Sequence, residues 1–115
     1  MGNIEIKKAQ VQNIEKIIEY IPNSVVIKSI IKKPTGNISV VALDVGEVLV
    51  GRISPFDTFI HVIDGHAEIV IDQNSNLLNT GESIIITAHS NNMTKANVRF
   101  KMLTTIIKSG YEEIS

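Results

Sequence analysis

The three histidines of this chain, His61, His66 and His89, are the side chains best suited to bind a metal or transfer a proton near neutral pH. Asp64-Gly65 is a strong signal for a two-residue β-hairpin, because a type I′ turn needs positive φ at both central residues. Such a hairpin would bring His61 opposite Glu68 and place His66 on the same outward face. The pattern predicts a cross-strand histidine–glutamate pair, with a surface metal site as the alternative. His89 lies in a polar segment and has no predictable partner.

Other common catalytic arrangements are missing from the sequence. Ser54 and Ser83 do not stand in a Gly-x-Ser-x-Gly turn, which argues against a serine hydrolase. The segment 46–51 is bounded by glycines, but no lysine follows it, so it is not a phosphate-binding loop. The carboxylates between residues 57 and 72 are expected in a turn, on an outer face and at a strand end. That leaves no pair for glycoside hydrolysis.

Composition and charge exclude further classes of function. The 115 residues suffice for one domain, and the apolar 43% is chiefly isoleucine and valine, which favour strands. A net charge of −1 gives no field that would attract nucleic acid or an anionic membrane. The absence of cysteine rules out disulfides, thiolate zinc sites and cysteine nucleophiles. Because no signal peptide or membrane-spanning segment is evident, we expect a cytoplasmic protein with neither nucleic acid nor membrane as a partner.

Hydrophobic spacing predicts a short N-terminal unit followed by a β-domain. Residues 4–6 alternate like an edge strand, and apolar residues from Val11 to Ile21 recur at helical spacing before Pro22 ends the helix. This unit, residues 1–23, is expected to pack on a barrel formed by residues 24–115. The barrel strands are predicted at 24–32, 38–45, 57–63, 66–72, 83–87 and 96–107, with turns at 34–37, 73–76 and 80–82 and a polar loop at 89–95. Short strands separated by frequent turns indicate an all-β sandwich or barrel.

The glycine spacing from Gly46 to Gly65 resembles the first signature motif of the cupin family, with every interval of that motif intact. The segment from Gly81 to Ala96 resembles the second motif less closely, since only its first glycine is kept. The resemblance extends over residues 24–107. It implies a small, conserved-barrel cupin of the bacterial kind, an all-β double-stranded β-helix of jelly-roll type.

The same resemblance identifies the positions at which cupins hold a metal ion with three histidines and one glutamate. In this chain those positions carry Arg52, Ser54, Thr58 and Asn92. Arginine is a permanent cation with no lone pair to donate, and neutral hydroxyl and amide oxygens are weak ligands for transition metals. We therefore expect neither a metal nor another cofactor at this site.

The interior of the implied barrel is expected to be largely apolar. Because Thr58 matches an inward position of the family, strand alternation places Ile60 and Val62 on the same inner face. After the turn, the residues expected to join them are Ala67, Ile69 and Ile71. An apolar interior with a few polar groups near one end is the general chemistry of a small-molecule pocket.

Arg52 is the residue most able to anchor a ligand in such a pocket, because a guanidinium recognises carboxylate and phosphate through paired hydrogen bonds. In the alternative, Arg52 pairs with Asp57 or Glu47 at the rim and anchors no ligand. The predicted ligand-binding residues are Arg52, Ser54, Thr58 and Asn92 inside the barrel, with Asp57 and His89 at its mouth.

Three functions stay open on these residues. The preferred one is a metal-independent module that binds or senses a small molecule, such as an organic anion. The first alternative is a cupin enzyme of isomerase or oxygenase type with a relocated site. It would use Arg52 with Asp57 or His89 as acid–base groups, or a metal completed by His89. The second alternative is a structural barrel filled by its own side chains. Because these alternatives differ in class, the sequence does not decide whether the chain is an enzyme.

A homodimer is the partner assembly that the cupin resemblance implies. The physical reason to expect a dimer of this chain is an outer sheet face on which we expect Phe59, Ile63 and Val70. One short helix would not cover all three side chains, and exposed apolar patches mark interaction surfaces.

Overall fold

Two antiparallel sheets pack face to face and form the body of the chain. The computed structural model describes residues 6–108. The strands are β1 (Val25–Lys33), β2 (Gly36–Leu43), β3 (Val48–Val50), β4 (Thr58–Asp64), β5 (Ala67–Ile71), β6 (Asn74–Leu78), β7 (Ser83–Ile86), β8 (Asn92–Lys95) and β9 (Phe100–Ile107). One sheet has five strands in the order β1-β2-β9-β4-β7, and the other has four in the order β3-β8-β5-β6. The predicted all-β architecture is therefore confirmed, and residues 6–108 include no apolar helix of membrane-spanning length.

The strands β4 and β5, which the sequence joins in a hairpin, belong to different sheets. β4 pairs with β7 and β9, whereas β5 pairs with β6 and β8. The predicted two-residue hairpin at Asp64-Gly65 is therefore wrong, and of its two residues only Gly65 has positive φ, at 81°. The alternation of apolar residues is satisfied equally when two strands share a sheet and when they face each other. Local pattern alone therefore could not decide between a hairpin and a crossing.

A core of inward-facing apolar side chains joins the two sheets. Its fully buried members include Phe100, Leu43 and Val62, each 0% exposed, which lie near one end of the barrel. We call this end the closed end. Leu43 and Phe100 are direct neighbours across β2 and β9, so their side chains meet on the inner face. The inward residues predicted by alternation are confirmed for Ile60, Val62, Ala67 and Ile69, and Ile71 packs beside them half-buried.

The N-terminal segment covers the outer face of the five-stranded sheet without forming a helix. The helix predicted over residues 11–21 is wrong, because the backbone runs through turns in which the amide of Lys16 donates to the carbonyl of Asn13 at 2.9 Å. The Asn13 side chain also accepts from the amide of Glu15 at 3.1 Å, a local bond that competes with helix formation. Ile14, Ile17 and Ile18 still reach the sheet. A short run rich in β-branched residues gains little from a helix, so packing on the sheet decides its shape.

Tyr20 fastens this segment to the sheet. Its hydroxyl donates to the carboxylate of Asp64 at 2.6 Å, and the guanidinium of Arg99 lies 4.6 Å from the ring centroid. The ammonium of Lys101 lies 5.0 Å from the same centroid and donates to the carbonyl of Glu15 at 2.6 Å. Burial, and then the bond to Asp64, raises the pKa of Tyr20 well above its usual value. These contacts keep the phenol protonated and place the segment across the barrel.

The sequence missed three short strands, and all three lie in the four-stranded sheet. β6 and β8 are rich in asparagine, serine and threonine, so their local strand preference is weak. β3 has only three residues. The turn before β6 is formed by Asp72 and Gln73, with φ of 47° and 71°, rather than by the predicted residues 73–76. Of the strand predicted at residues 4–6, only Ile6 is described and it is in no strand; residues 4 and 5 lie outside the described residues.

Gly65 and Gly81 allow a matched test of the crossing between the sheets. Both have positive φ, of 81° and 91°, but a Cβ on Gly65 would overlap the carbonyl oxygen of Arg99 and the side chain of Phe100, whereas Gly81 has open space. We expect Gly81→Ala to lower the free energy of unfolding by about 1–2 kcal/mol through backbone strain alone. Gly65→Ala should lower it by about 3 kcal/mol or more, because the overlap is added. Urea unfolding measures both, and equal losses would show that Gly65 has room.

Candidate functional site

A cavity of about 490 Å³ lies between the sheets at the end of the barrel away from Phe100. Small-molecule sites have volumes of about 300–1,000 Å³, so the cavity could hold a small ligand. The segment between β3 and β4, residues 51–57, contributes exposed side chains to its lining and forms its mouth. The cavity thus adjoins the core, whose members Val41, Ile60 and Met102 form part of its wall.

The structure brings four of the predicted ligand-binding residues into this cavity. Thr58 comes from the first position of β4 and Asn92 from the first position of β8, whereas Arg52 and Ser54 come from the mouth segment. Arg52 is exposed, and the other three are half-buried. All four side chains therefore line one space, and their role toward a ligand stays a prediction.

Backbone hydrogen bonds hold the mouth segment in place. The amide of Gly51 donates to the carbonyl of Asn92 at 3.1 Å. The hydroxyl of Ser54 accepts from the amide of Phe56 at 3.1 Å, which closes a local turn. Gly51 has no side chain, and a Cβ at this residue would overlap the side-chain amide of Asn92. The geometry of Asn92 at the mouth therefore depends on glycine at residue 51.

Asp57 and His89, which were predicted at the mouth, are not among the residues that line the cavity. Their hydrogen bonds instead connect the segments beside the mouth. One carboxylate oxygen of Asp57 accepts from the amide of Ala88 at 2.8 Å. The amide of His89 donates to the carbonyl of Ser54 at 2.6 Å, and His89 has a left-handed φ of 66°. Both residues tie the segment 87–91 to the mouth segment.

The lining of the cavity is mostly apolar and carries positive charge. Within the described chain, no aspartate, glutamate or histidine lines it, and its two ionisable groups are Arg52 and Lys108. The apolar walls include Val41, Leu49, Ile60, Ile86, Met102 and Ile106. A low-dielectric cavity with cations at its mouth and no carboxylate favours an anionic ligand with an apolar body.

Three hydroxyl groups inside the cavity were not found from the sequence. They belong to Ser39 on β2, Thr94 on β8 and Thr104 on β9. Thr94 was predicted in the polar loop 89–95, for which local pattern gives no inward or outward direction. Alternation from Phe100 and Met102 would have predicted an inward Thr104, so a signal for that residue was present.

The predicted outward cluster of His61, His66 and Glu68 does not form. His61 lies on the outer face of the five-stranded sheet, where its ring stacks on Phe59 with centroids 6.3 Å apart. Glu68 lies in the other sheet and accepts from the hydroxyl of Ser75 at 2.6 Å and the amide of Asn97 at 2.9 Å. These bonds, chiefly the one from Ser75, lower the pKa of Glu68. The predicted His61–Glu68 pair is wrong, because β4 and β5 are not paired.

Several solved structures, among them proteins named as cupins, resemble the chain over most of its length. A conserved protein of unknown function from Streptococcus pyogenes is 24% identical, with a TM-score of 0.86 over 95% of this chain and 96% of that protein. A cupin superfamily protein from Desulfitobacterium hafniense is 21% identical, with a TM-score of 0.81 over 91% and 95% of the two chains. A cupin 2 conserved barrel domain protein from Leptotrichia buccalis is 26% identical, with a TM-score of 0.79 over 82% of this chain but only 46% of its own.

These similarities show that the chain has the cupin fold, so the resemblance inferred from its glycine spacing is confirmed. No protein-family model matches the chain, and no curated protein matches it in sequence. The fold is therefore shown by structure, whereas activity must be argued from the cavity itself.

The four residues that the cupin resemblance assigns to the family's metal positions have side chains that suit a transition metal poorly. Arg52 offers a cation instead of a lone pair, and the Ser54 hydroxyl already accepts from a backbone amide. Thr58 and Asn92 add neutral oxygens only, which transition metals bind weakly without imidazole or carboxylate. Among residues 6–108, no three or more histidine, aspartate and glutamate side chains gather in a group that could hold an ion.

We expect the purified chain to retain less than about 0.1 metal ion per protein molecule after incubation with zinc, iron, nickel or manganese and exhaustive desalting, because it lacks imidazole and carboxylate ligands at the site. Elemental mass spectrometry measures this content. The matched control is the fourfold variant Arg52→His, Ser54→His, Thr58→Glu and Asn92→His, which restores the family's ligand types and should gain metal. One ion per chain in the unaltered protein would contradict the prediction.

Proposed function

We propose that this cupin-fold chain is a metal-independent binding module that holds a small organic anion in its cavity. The observation that carries the proposal is the placement of Arg52 at the mouth of a mostly apolar cavity to which no described residue contributes a carboxylate. The guanidinium would bind the anionic group through paired hydrogen bonds, and the apolar walls would bury the rest of the ligand.

The polar residues around Arg52 supply the remaining hydrogen bonds in this proposal. Thr58 and Asn92 lie on strands, so their backbones are fixed by the sheets. Arg52 lies on the mouth segment, which bonds to Asn92 and His89 through its backbone. A ligand would therefore meet two rigid groups and one long, adaptable cation.

The enzyme alternative finds less support in the cavity. The described lining of the cavity contains no aspartate, glutamate or histidine, the side chains that most often act as general acids and bases. Asp57 and His89 were the predicted acid–base partners, yet neither lines the cavity. The Asp57 carboxylate accepts from the amide of Ala88, and the backbone amide of His89 donates to the carbonyl of Ser54. Binding or sensing is therefore the function that the geometry supports best.

Replacing Arg52 with methionine should lower affinity for carboxylates by about 10–100-fold, because a charge-assisted hydrogen bond is lost while most of the side-chain volume is kept. The probes are 4-phenylbutanoate and its uncharged analogue 4-phenylbutan-1-ol, titrated calorimetrically. Affinity for the alcohol should not change, since it has no anionic group.

The matched control for that experiment is Arg99→Met. Arg99 also carries a guanidinium, but it rests on the ring of Tyr20 and does not line the cavity. Carboxylate affinity should be the same in this variant as in the unaltered chain. Equal affinities for Arg52→Met and the unaltered chain would show that Arg52 is only a rim group and would overturn the anion site.

We further propose that the chain forms a homodimer through the outer face of the five-stranded sheet. The N-terminal segment covers Val40 and Ala42 in the middle of that face. It leaves Phe59 and Ile85 exposed by 39% and 56% on the neighbouring strands β4 and β7, where they are direct cross-strand partners. A self-complementary apolar patch is what a two-fold interface requires.

The expected dimer face must be corrected for two of its three residues. Ile63 packs against the cluster around Ile18, so the N-terminal segment already covers it. Val70 lies on β5, in the four-stranded sheet, and cannot share a face with Phe59. The uncovered apolar surface on the five-stranded sheet is thus centred on Phe59 and Ile85.

Sedimentation of the unaltered chain at micromolar concentration should show a dimer, and Phe59→Glu should convert it to a monomer by placing a charge in the interface. The matched control is Val50→Glu, because Val50 is 69% exposed on the other sheet and its replacement should leave the dimer intact. A monomer before any substitution would contradict the proposed assembly.

A further inference from the structure

The hydroxyl groups of Ser39, Thr94 and Thr104 lie deeper in the cavity than the residues at its mouth. Thr94 follows Asn92 by two residues on β8, which places it about 7 Å further along the strand. Thr104 likewise lies two residues inward from Ile106 on β9, and Ser39 is its direct partner on β2. The hydroxyls therefore occupy one level of the cavity, on the walls of both sheets.

Thr94 is nearly inaccessible to solvent, with 3% of its surface exposed. In the part of the chain from residue 6 to 108, no hydrogen bond joins its hydroxyl, or those of Ser39 and Thr104, to another group. The same part of the chain has no fully enclosed side-chain nitrogen or oxygen without a partner. An unbonded Thr94 hydroxyl must therefore open into the cavity.

The surroundings of Thr94 would suit an aliphatic side chain. Its direct neighbours across the sheet are Leu49 and Ile69, and Ile69 is 0% exposed. Valine has nearly the shape of threonine and an equal preference for strands, so packing alone does not require a hydroxyl at this position. A hydroxyl kept at such a position is typical of a group that bonds to a ligand.

We propose that Thr94, together with Ser39 and Thr104, forms a second polar subsite that binds an uncharged ketone or hydroxyl group in the body of the ligand. Hydroxyl side chains both donate and accept hydrogen bonds, so they fit either group. No charged side chain in the described lining comes from these strand positions. The ligand class is accordingly an oxo- or hydroxycarboxylate with an apolar body, an inference that rests on the proposed anion site at Arg52.

The test compares three carboxylates with one carbon skeleton: 4-phenylbutanoate, 4-oxo-4-phenylbutanoate and 4-hydroxy-4-phenylbutanoate. The unaltered chain should bind at least one of the two oxygenated acids about fivefold to tenfold more tightly than the parent acid, the gain of one or two neutral hydrogen bonds. Thr94→Val should remove that preference and leave affinity for the parent acid unchanged. Thr104→Val is the second variant and should weaken the preference in the same way.

The matched control is Thr105→Val, because Thr105 follows Thr104 on β9 and does not line the cavity. It should keep the full preference for the oxygenated acids. If the unaltered chain binds all three acids equally, the hydroxyl subsite is overturned while the anion site stands. If none of the three acids binds, the proposed function fails and the subsite fails with it.

A measurement without ligand tests the same idea. Because the Thr94 hydroxyl has no hydrogen-bond partner among residues 6–108, Thr94→Val should leave the midpoint of thermal unfolding unchanged or raise it by about 2–5 °C. A fall of that size would show that the hydroxyl supports the fold, and would overturn its assignment to a ligand.

Discussion

The structure depends on the large apolar side chains that fill the closed end of the barrel. Phe100, Leu43 and Val62 are 0% exposed and hold the two sheets at a fixed separation. At the other end, small polar side chains such as Ser39 and Thr58 stand among the apolar walls, and a space of about 490 Å³ remains between the sheets. The cavity thus lies away from the end that the fully buried side chains fill.

The fold and the polar part of the cavity lining depend on different residues. The core sets the positions of the strands, and backbone hydrogen bonds at Gly51 and Ser54 set the mouth segment. Neither task requires Arg52, Thr58 or a bound ion. The polar side chains that point into the cavity can therefore vary without loss of the fold, and a hydroxyl at Thr94 is compatible with it.

The N-terminal segment adds a second, smaller core on the outside of the five-stranded sheet. Ile18 packs against Val40 and Ala42, and the Tyr20–Asp64 hydrogen bond holds the segment at the end of β4. This end lies away from the cavity mouth, so the segment stabilises the barrel and leaves the entrance open. It also leaves Phe59 uncovered, which links the extent of this covering to the proposed dimer.

The sequence by itself determined the all-β class, most long strands and the inward faces of β4 and β5, because side-chain alternation is a local property. The family's spacing also selected Arg52 and Asn92, which the structure places in one cavity. Tertiary structure alone decided that β4 and β5 separate into two sheets, that residues 11–21 form turns, and that Thr94 faces inward. Pairing between distant strands fixed these features, and strand partners far apart in sequence leave no trace in local periodicity.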